Sequence, residues 1–426
     1  MSSPPHFTPS HSLPHLTGQF IDSGRLLLLQ LLGSGGFGKV YKAIDTTSFP
    51  DSPIFYAVKC MHRYEAGSKE AQIQANELMV HQMISDHPHV VTLHRLFSTD
   101  EHVFVVLDLS TGGDLFDALV TREVYRANSN LIKRAFGELL DAVEACHRNS
   151  IFHRDLKPEN ILCNSAGTDI RLADFGLATQ VAVSSQFGCG SRFYMSPESI
   201  DNKYTNGCYS ARHSDLWALS VIFTNMISGR HPWASAEVSD PAFAAHRNDS
   251  NYLIRALKIT RPAGALLKRC FHMDPLRRPT LPQLREAVNA IDFFTPNDMP
   301  PSLVDFPSPP AHLPSITPAE TLEWATAAPP SALPPFRHPQ VPAAPQSRTS
   351  PKRPPRAPPR SLTPASAASS TSQRTELQQT ERVPHGGAER QANVADAEKV
   401  QGELQGTPEN IRKCEKYTDK IRRKYI

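Results

Sequence analysis

Between Phe152 and Leu162 the chain reads FHRDLKPENIL. Apolar ends usually enclose core, and core does not carry Arg154, Asp155, Lys157 and Glu159 together unless something meets their charges. Asp155 can accept a proton from a hydroxyl. Lys157, two residues on, can offset negative charge on a group in transfer. Asn160 offers a neutral oxygen to a hard divalent cation, which prefers oxygen donors. A second carboxylate, Asp174, follows in LADFGLA, flanked by apolar residues and close to Gly176, where it can bridge a metal to a phosphate. A buried structural ion pair explains either Asp taken alone.

Upstream, LLGSGGFGKV spans Leu32, Gly33, Ser34, Gly35, Gly36, Phe37, Gly38, Lys39 and Val40. Glycine lets backbone N–H groups approach phosphate oxygens with no side chain in the way. A tight hairpin without a ligand explains the same loop. A dinucleotide fold would have the loop open a helix, whereas KVYKAID reads as a strand. YAVKC sets Lys59 two residues after Ala57 in an apolar strand. That lysine can snorkel to solvent, or it can pair with Glu77 in NELMVHQMI and hold its ammonium against a nucleotide's phosphates.

The elements that must position these residues are legible in the periodicity. Residues 26–32, 39–44, 54–61, 91–97 and 102–108 read as strands, with one helix at about 69–84 stopped by Asp86, His87 and Pro88. Helices dominate from Leu115. Residues 130–147 carry an apolar stripe at 132, 136, 139, 140 and 143. The stretch HSDLWALSVIFTNMIS is apolar on most faces and belongs inside a helical layer. A small sheet lobe, a larger helical lobe and a cleft between them follow.

Glycine loop, strand lysine, helix glutamate, HRDLKPEN and DFG occur in one order and in matching contexts. With them the chain resembles a eukaryotic protein kinase of the serine/threonine type over about residues 20–293, and SPE (196–198), DLWALS (215–220) and DPLRRPT (274–280) extend the likeness. The resemblance implies an α+β, bilobal kinase fold, with a small mostly β N-lobe and a large mostly α C-lobe. It implies ATP and Mg²⁺ as cofactors. Residues 32–40, Ala57, Lys59, Glu77 and Leu107 would surround the nucleotide, with Leu107 at the back of the adenine pocket. Asp155 would be the catalytic base, Lys157 would steady the phosphoryl group, and Asn160 and Asp174 would hold the metal. Lys157 also points to serine/threonine rather than tyrosine specificity. Glu198 would pair with Arg278, and Asp215 belongs to the matched helical lobe. Ser220 stands where most kinases have Gly, a substitution the helix should tolerate. LLGSGGFGKVYKAID, VVTLHRLF, FVVLDLSTGGDLFDAL and GCGSRFYMSPE are similar to fungal kinases of meiosis and nutrient response.

The segment between DFG and SPE departs from the pattern. Arg154 is present to read a phosphate, but Phe187 occupies the usual phosphorylated threonine position. Ser184 and Ser185 stand nearby as substitutes. Ser191 matches the structural hydroxyl that bonds the catalytic Asp and Lys. The expectation is that Phe187 anchors the segment by packing and Arg154 bonds to backbone or a nearby acid. Asp114 and Glu159 match two acidic places of a basic-residue substrate groove, while Asn225 stands where a further carboxylate often sits. The alternative from another class is a pseudokinase scaffold that binds partners without catalysis. A kinase of small molecules is disfavoured by the intact SPE and the long segment before it.

The net charge of +3 over 426 residues argues against a nucleic-acid or membrane-surface binder. No run is long enough to insert in a membrane, and no signal peptide is visible. The seven cysteines form no CxxC pair, so a cytoplasmic or nuclear residence is expected. Protein substrates and a monomeric state are expected. Residues 1–19 read as a disordered lead, 20–293 as the kinase domain, and 294–426 as a disordered Pro-rich tail. More than half of the 38 prolines fall between Pro296 and Pro364. In SPKRPPRAPPR, Pro355, Pro358 and Arg360 form a PxxPxR pattern that suits an SH3-type or other docking groove, or else a solvated linker. The final residues space Ile411, Cys414, Thr418, Ile421 and Tyr425 as in a short basic helix, or a frayed tail.

Overall fold

Strand and helix follow from alternation giving way to three- and four-residue spacing. A computed structural model describes residues 13–35 and 38–298 of the chain. Six antiparallel strands come first: β1 (Phe20–Ile21), β2 (Leu26–Gly35), β3 (Gly38–Asp45), β4 (Phe55–His62), β5 (Leu93–Ser98) and β6 (His102–Asp108). They lie in the order β1-β2-β3-β4-β6-β5. One helix, α1 (Lys69–Ile84), interrupts them, its start capped by Ser68 accepting from Ala71 N. Because side chains alternate across a strand, Tyr41, Ala43, Val58, Cys60, Phe104 and Val106 share one buried face. Val40 lies opposite Lys59, and Ala57 opposite Leu107, on the other face. The leucine run of β2 divides in the same way: Leu26 and Leu28 are buried, Leu29 and Leu32 exposed.

Two boundaries differ from the sequence reading. The lead assigned to residues 1–19 is ordered from Leu13: Leu13 (8% exposed) and Leu16 (6%) pack on the outer sheet face. Leu16 N donates to the Tyr41 hydroxyl at 3.2 Å, and Gly18 N to Leu28 O at 2.7 Å. Apolar burial of two leucines is enough to fix a segment that composition alone marks as loose. At the other end the core runs past 293, because Phe294 is fully buried and its carbonyl accepts from Thr260 N. Residues 1–12, the loop tip Gly36 and Phe37, and everything from 299, including the PxxPxR stretch and the C-terminal helix pattern, lie outside the described residues.

The helical lobe opens with α2 (Leu115–Val120) and α3 (Ser129–Arg148). A hairpin of β7 (Ile161–Leu162) with β8 (Arg171–Leu172) and a second small ladder of β9 (Val183–Ser184) with β10 (Tyr209–Ser210) carry the polar segments. Helices α4 (Pro197–Ile200), α5 (Ala211–Ser228), α6 (Pro241–Asn248), α7 (Tyr252–Leu257), α8 (Arg261–Cys270) and α9 (Leu281–Asn289) complete it. Helix α5 is buried almost throughout, as its uniform apolarity requires. Trp217 meets Phe271 and Trp233 at ring distances of 5.0 and 5.6 Å. Ser220, buried in α5, donates to Leu216 O at 2.7 Å, so its hydroxyl is satisfied within the helix. Among the described residues no helix is long and apolar enough to cross a membrane. The α+β, two-lobed expectation holds.

Candidate functional site

The chain at His153 and Arg154 is fixed from below by one buried carboxylate. Asp215 of α5 accepts from His153 N (2.9 Å) and His147 Nε2 (2.8 Å) through Oδ2, and from Arg154 N (2.8 Å) through Oδ1. A buried carboxylate is costly unless hydrogen-bonded, and here each donor also orders the loop. Arg154 and Asp174 both hold positive φ, 63° and 59°. Such backbone persists in a non-glycine residue only where the surroundings over-determine it.

Asp155 is met on both oxygens. Ser191 donates to Oδ1 through its backbone N (2.9 Å) and hydroxyl (2.8 Å). Lys157 Nζ stands 2.9 Å from Oδ2, and Asn160 Nδ2 donates to Oδ2 at 3.2 Å and to Asp155 O at 2.9 Å. Lys157 also donates to Ser191 Oγ at 3.1 Å. Burial alone would lower the Lys157 pKa, but the Asp155 carboxylate outweighs it and raises it.

Across the cleft Lys59 Nζ lies 2.6 Å from Glu77 Oε1 and 3.4 Å from Asp174 Oδ1. Desolvation opposes the Lys59 charge, yet Asp174 and then Glu77 hold its pKa above that of an ordinary lysine. Asp174 moves the other way: burial would raise it, and Lys59 foremost holds it below the usual carboxylate range. Helix α1 is seated by two further contacts, Asn76 Nδ2 to Ala178 O at 3.1 Å and His81 against Phe175 at a ring distance of 5.0 Å. His153 covers Phe175 at 5.2 Å. His81 Nε2 donates to Val91 O, and His153 Nε2 to Ala173 O. The two imidazoles and Phe175 thus make a buried bridge between lobes. Sequence reasoning gave His81, His153 and Asn76 no role, because none has a spacing signal toward Phe175.

Two oxygen donors spring from one hairpin. Asn160 precedes β7 and Asp174 follows β8, with Ile161 paired to Leu172 and Ala173 N donating to Asn160 O at 2.9 Å. Asn160 donates with its Nδ2, which leaves its carboxamide oxygen for another partner. A carboxylate beside a neutral oxygen is the donor set that a hard cation such as Mg²⁺ takes. The glycine hairpin has its own fit. A β-carbon on Gly33 or Gly35 would meet nothing within 4 Å. Gly38, at φ 134°, is held for a different reason: a β-carbon there would come within 2.4 Å of Cys60 O. Lys39 turns away from this face and donates to Leu13 O, so its side chain serves the N-terminal segment rather than a nucleotide. Val40, Ala57 and Leu107 line the sheet face that carries Lys59, while Leu32 is exposed at the irregularity between Leu31 and Gly33.

A profile of the protein kinase domain matches residues 27–289. The chain belongs to the protein kinase family. It is similar to the negative regulator of sexual conjugation and meiosis of Schizosaccharomyces pombe, 37% identical over 293 residues, covering 64% of this chain and 61% of that protein. The serine/threonine-protein kinase ksp1 of the same organism is 31% identical over 277 residues, 63% of this chain and 57% of that protein. The carbon catabolite-derepressing protein kinase of Saccharomyces cerevisiae is 28% identical over 286 residues, 65% and 42% of the two chains. The matched part thus spans about three fifths of the first two relatives.

The kinase's remaining candidates fall into two groups. Glu198 and Arg278 form a fully buried pair, with Nη2 to Oε2 at 2.8 Å and the guanidinium 4.7 Å above the Trp217 ring. Glu159 is half-buried, one oxygen has no protein partner, and desolvation raises its pKa, with nearby Asp114 adding to the effect. Asp114 caps α2 by accepting from Asp117 N at 2.8 Å, and burial raises its pKa too. Asn225 is fully buried and donates to Arg230 O at 2.9 Å. In the segment before SPE, Ser184 is 5% exposed inside β9, whereas Ser185 is exposed. Phe187 packs on Tyr209 at 5.6 Å. Arg154 bonds to the Leu177 carbonyl and to an amide, Gln186, rather than to an acid.

Proposed function

We propose that the chain is a protein serine/threonine kinase that uses ATP and Mg²⁺. One observation carries the reading. Lys59, Glu77 and Asp174 form a charged cluster on one side of the cleft, while Asp155, Lys157 and Asn160 form a single hydrogen-bonded set on the other. Two ammonium groups and three carboxylates facing one cleft suit a triphosphate with its metal better than they suit each other alone.

Mg²⁺, when bound by Asn160 and Asp174, would neutralise charge on the phosphates. Lys59, oriented by Glu77, would hold the nucleotide. Asp155 Oδ2 would take the proton of the incoming serine or threonine hydroxyl as its oxygen bonds to the γ-phosphorus. The bond from that phosphorus to the bridging oxygen breaks, and ADP leaves. Lys157 would offset the charge on the phosphoryl group in passage. The half-partnered Glu159 carboxylate and neighbouring Asp114 would receive a basic substrate side chain, at the third position before the target hydroxyl. Pairing would there return the charge that burial disfavours.

The test is transfer of labelled γ-phosphate to a degenerate serine/threonine peptide set, with phosphoamino-acid analysis of the product. Nucleotide binding without transfer would favour the scaffold reading. Strict proline or acidic preference would remove the roles of Glu159 and Asp114. For the tail, outside the described residues, the PxxPxR stretch is our proposed docking segment. Its test is binding of a 350–360 peptide to isolated SH3 domains, which substitution of Arg360→Ala should abolish.

A further inference from the structure

The Arg154 side chain joins three segments through uncharged partners. Its Nε donates to Leu177 O at 2.7 Å, just after the DFG turn, and Nη1 donates to Gln186 Oε1 at 2.9 Å. The side chain of Gln186 is exposed, but its backbone is held. Its N donates to Ser184 Oγ at 3.1 Å, and its O accepts from the Tyr209 hydroxyl at 3.0 Å. Ser184 and Tyr209 are themselves paired across the β9–β10 ladder, and Phe187 covers the Tyr209 ring. On the backbone side Arg154 carries a positive φ and is tied to Asp215. Gly190 packs so close that a β-carbon would come within 2.4 Å of Arg154 O. The next residue along the chain from Arg154 is Asp155, and the next after Gly190 is Ser191, its donor.

We propose that Gln186 is a positioning residue: its carboxamide, carried on a backbone that Ser184 and Tyr209 hold, clasps Arg154 and so sets Asp155, with no charge needed on residues 183–191. The proposal rests on the kinase reading above. A neutral acceptor gives a weaker bond to a guanidinium than a phosphate or carboxylate does. Here the backbone bonds of Gln186 to Ser184 and Tyr209 keep the acceptor within reach of Arg154. Ser184 is enclosed in the ladder and cannot be modified without opening it. Ser185 is exposed, and phosphate on it would be an addition to the clasp, not its foundation.

The experiment uses the full chain made in bacteria and treated with phosphatase. Steady-state turnover of a peptide is compared for wild type, Gln186→Ala, Gln186→Glu, Arg154→Ala and the double variant Gln186→Ala with Arg154→Ala. The dephosphorylated wild type is expected to be active. Gln186→Ala should lower kcat about tenfold, the loss of one hydrogen bond to a charged group, and leave the KM for ATP unchanged. Gln186→Glu should restore turnover, because a carboxylate also accepts from Arg154. In the Arg154→Ala background, Gln186→Ala should add nothing. The clasp is overturned if Gln186→Ala keeps wild-type kcat, if the two losses multiply, or if phosphatase treatment alone abolishes activity that the phosphorylated form shows. If neither form of the wild type transfers phosphate, the kinase reading fails separately. Limited proteolysis then decides the clasp: cleavage within 183–191 should rise equally in both single variants and no further in the double variant, and unchanged cleavage overturns it.

Discussion

The catalytic loop and the glycine hairpin face the same cleft and are built on opposite plans. Both oxygens of Asp155 have protein partners, and the two residues before it are held by Asp215. Around Gly33 and Gly35 a β-carbon would touch nothing. Under the proposed function, a group that accepts a proton would have to sit within a few tenths of an ångström of its place, which a brace provides. A loop that wraps a polyanion would work through bare N–H groups, which open space allows.

Asp155→Asn keeps the shape of the braced side and removes its proton acceptor. Turnover should fall about 10²–10⁴-fold, the usual value of a general base, with nucleotide affinity nearly unchanged. A peptide assay that finds wild-type turnover would remove Asp155 from the chemistry. Asp215→Ala attacks the brace itself. It strips a buried acceptor from three donors, His147 Nε2, His153 N and Arg154 N. Leaving buried donors unpaired should cost about 3–5 kcal/mol of stability, read as a lowered urea midpoint. Full stability in that variant would show that the loop is fixed by something else.

The two glycine positions separate the plans within one hairpin. Gly38→Ala should cost about 1–3 kcal/mol, since the added methyl meets Cys60 O and the backbone is in a region that favours glycine. Gly33→Ala should leave the melting temperature alone and raise the KM for ATP. Equal melting temperatures for the two variants would mean that the hairpin glycines share one role.

Much of this was legible in the sequence because motif spacing fixes chemistry directly. FHRDLKPENIL announced a charged set needing an outside partner, and the strand position of Lys59 with Glu77 in the following helix announced the pair. The strands and α1 followed from apolar periodicity. What failed has physical reasons. Leu13 and Leu16 lie among Pro and His before the first strand, so only tertiary burial reveals their part. Gly38 and Lys39 read as parts of a phosphate loop, and the close approach to Cys60 and the side-chain bond to Leu13 carry no spacing signal. Gln186 is a polar residue in a loop, and no period marks which guanidinium it meets. His81 and His153 are brought to Phe175 only by the closing of two lobes.

That closing supplies the smallest effect. His81 is buried on α1 against Phe175, and desolvation lowers its pKa, outweighing the bond to Val91 O. Lys59 lowers it further and Asp174 raises it, so the charged groups facing it partly cancel. A histidine whose folded pKa lies below its unfolded value near 6.5 contributes stability that is complete above that value. The contribution is lost as pH falls through the folded pKa, because the unfolded chain then binds the proton that the folded chain excludes. Lowering the pH from about 7.5 to about 5.5 should therefore destabilise the seat of α1. Hydrogen exchange of α1 amides at the two pH values measures it. His81→Leu keeps an apolar side chain against Phe175 and removes the titrating ring, so it should flatten the pH dependence over this range. If α1 exchanges with the same pH dependence in His81→Leu as in wild type, after correction for intrinsic exchange rates, the junction of the two regions is not set by His81.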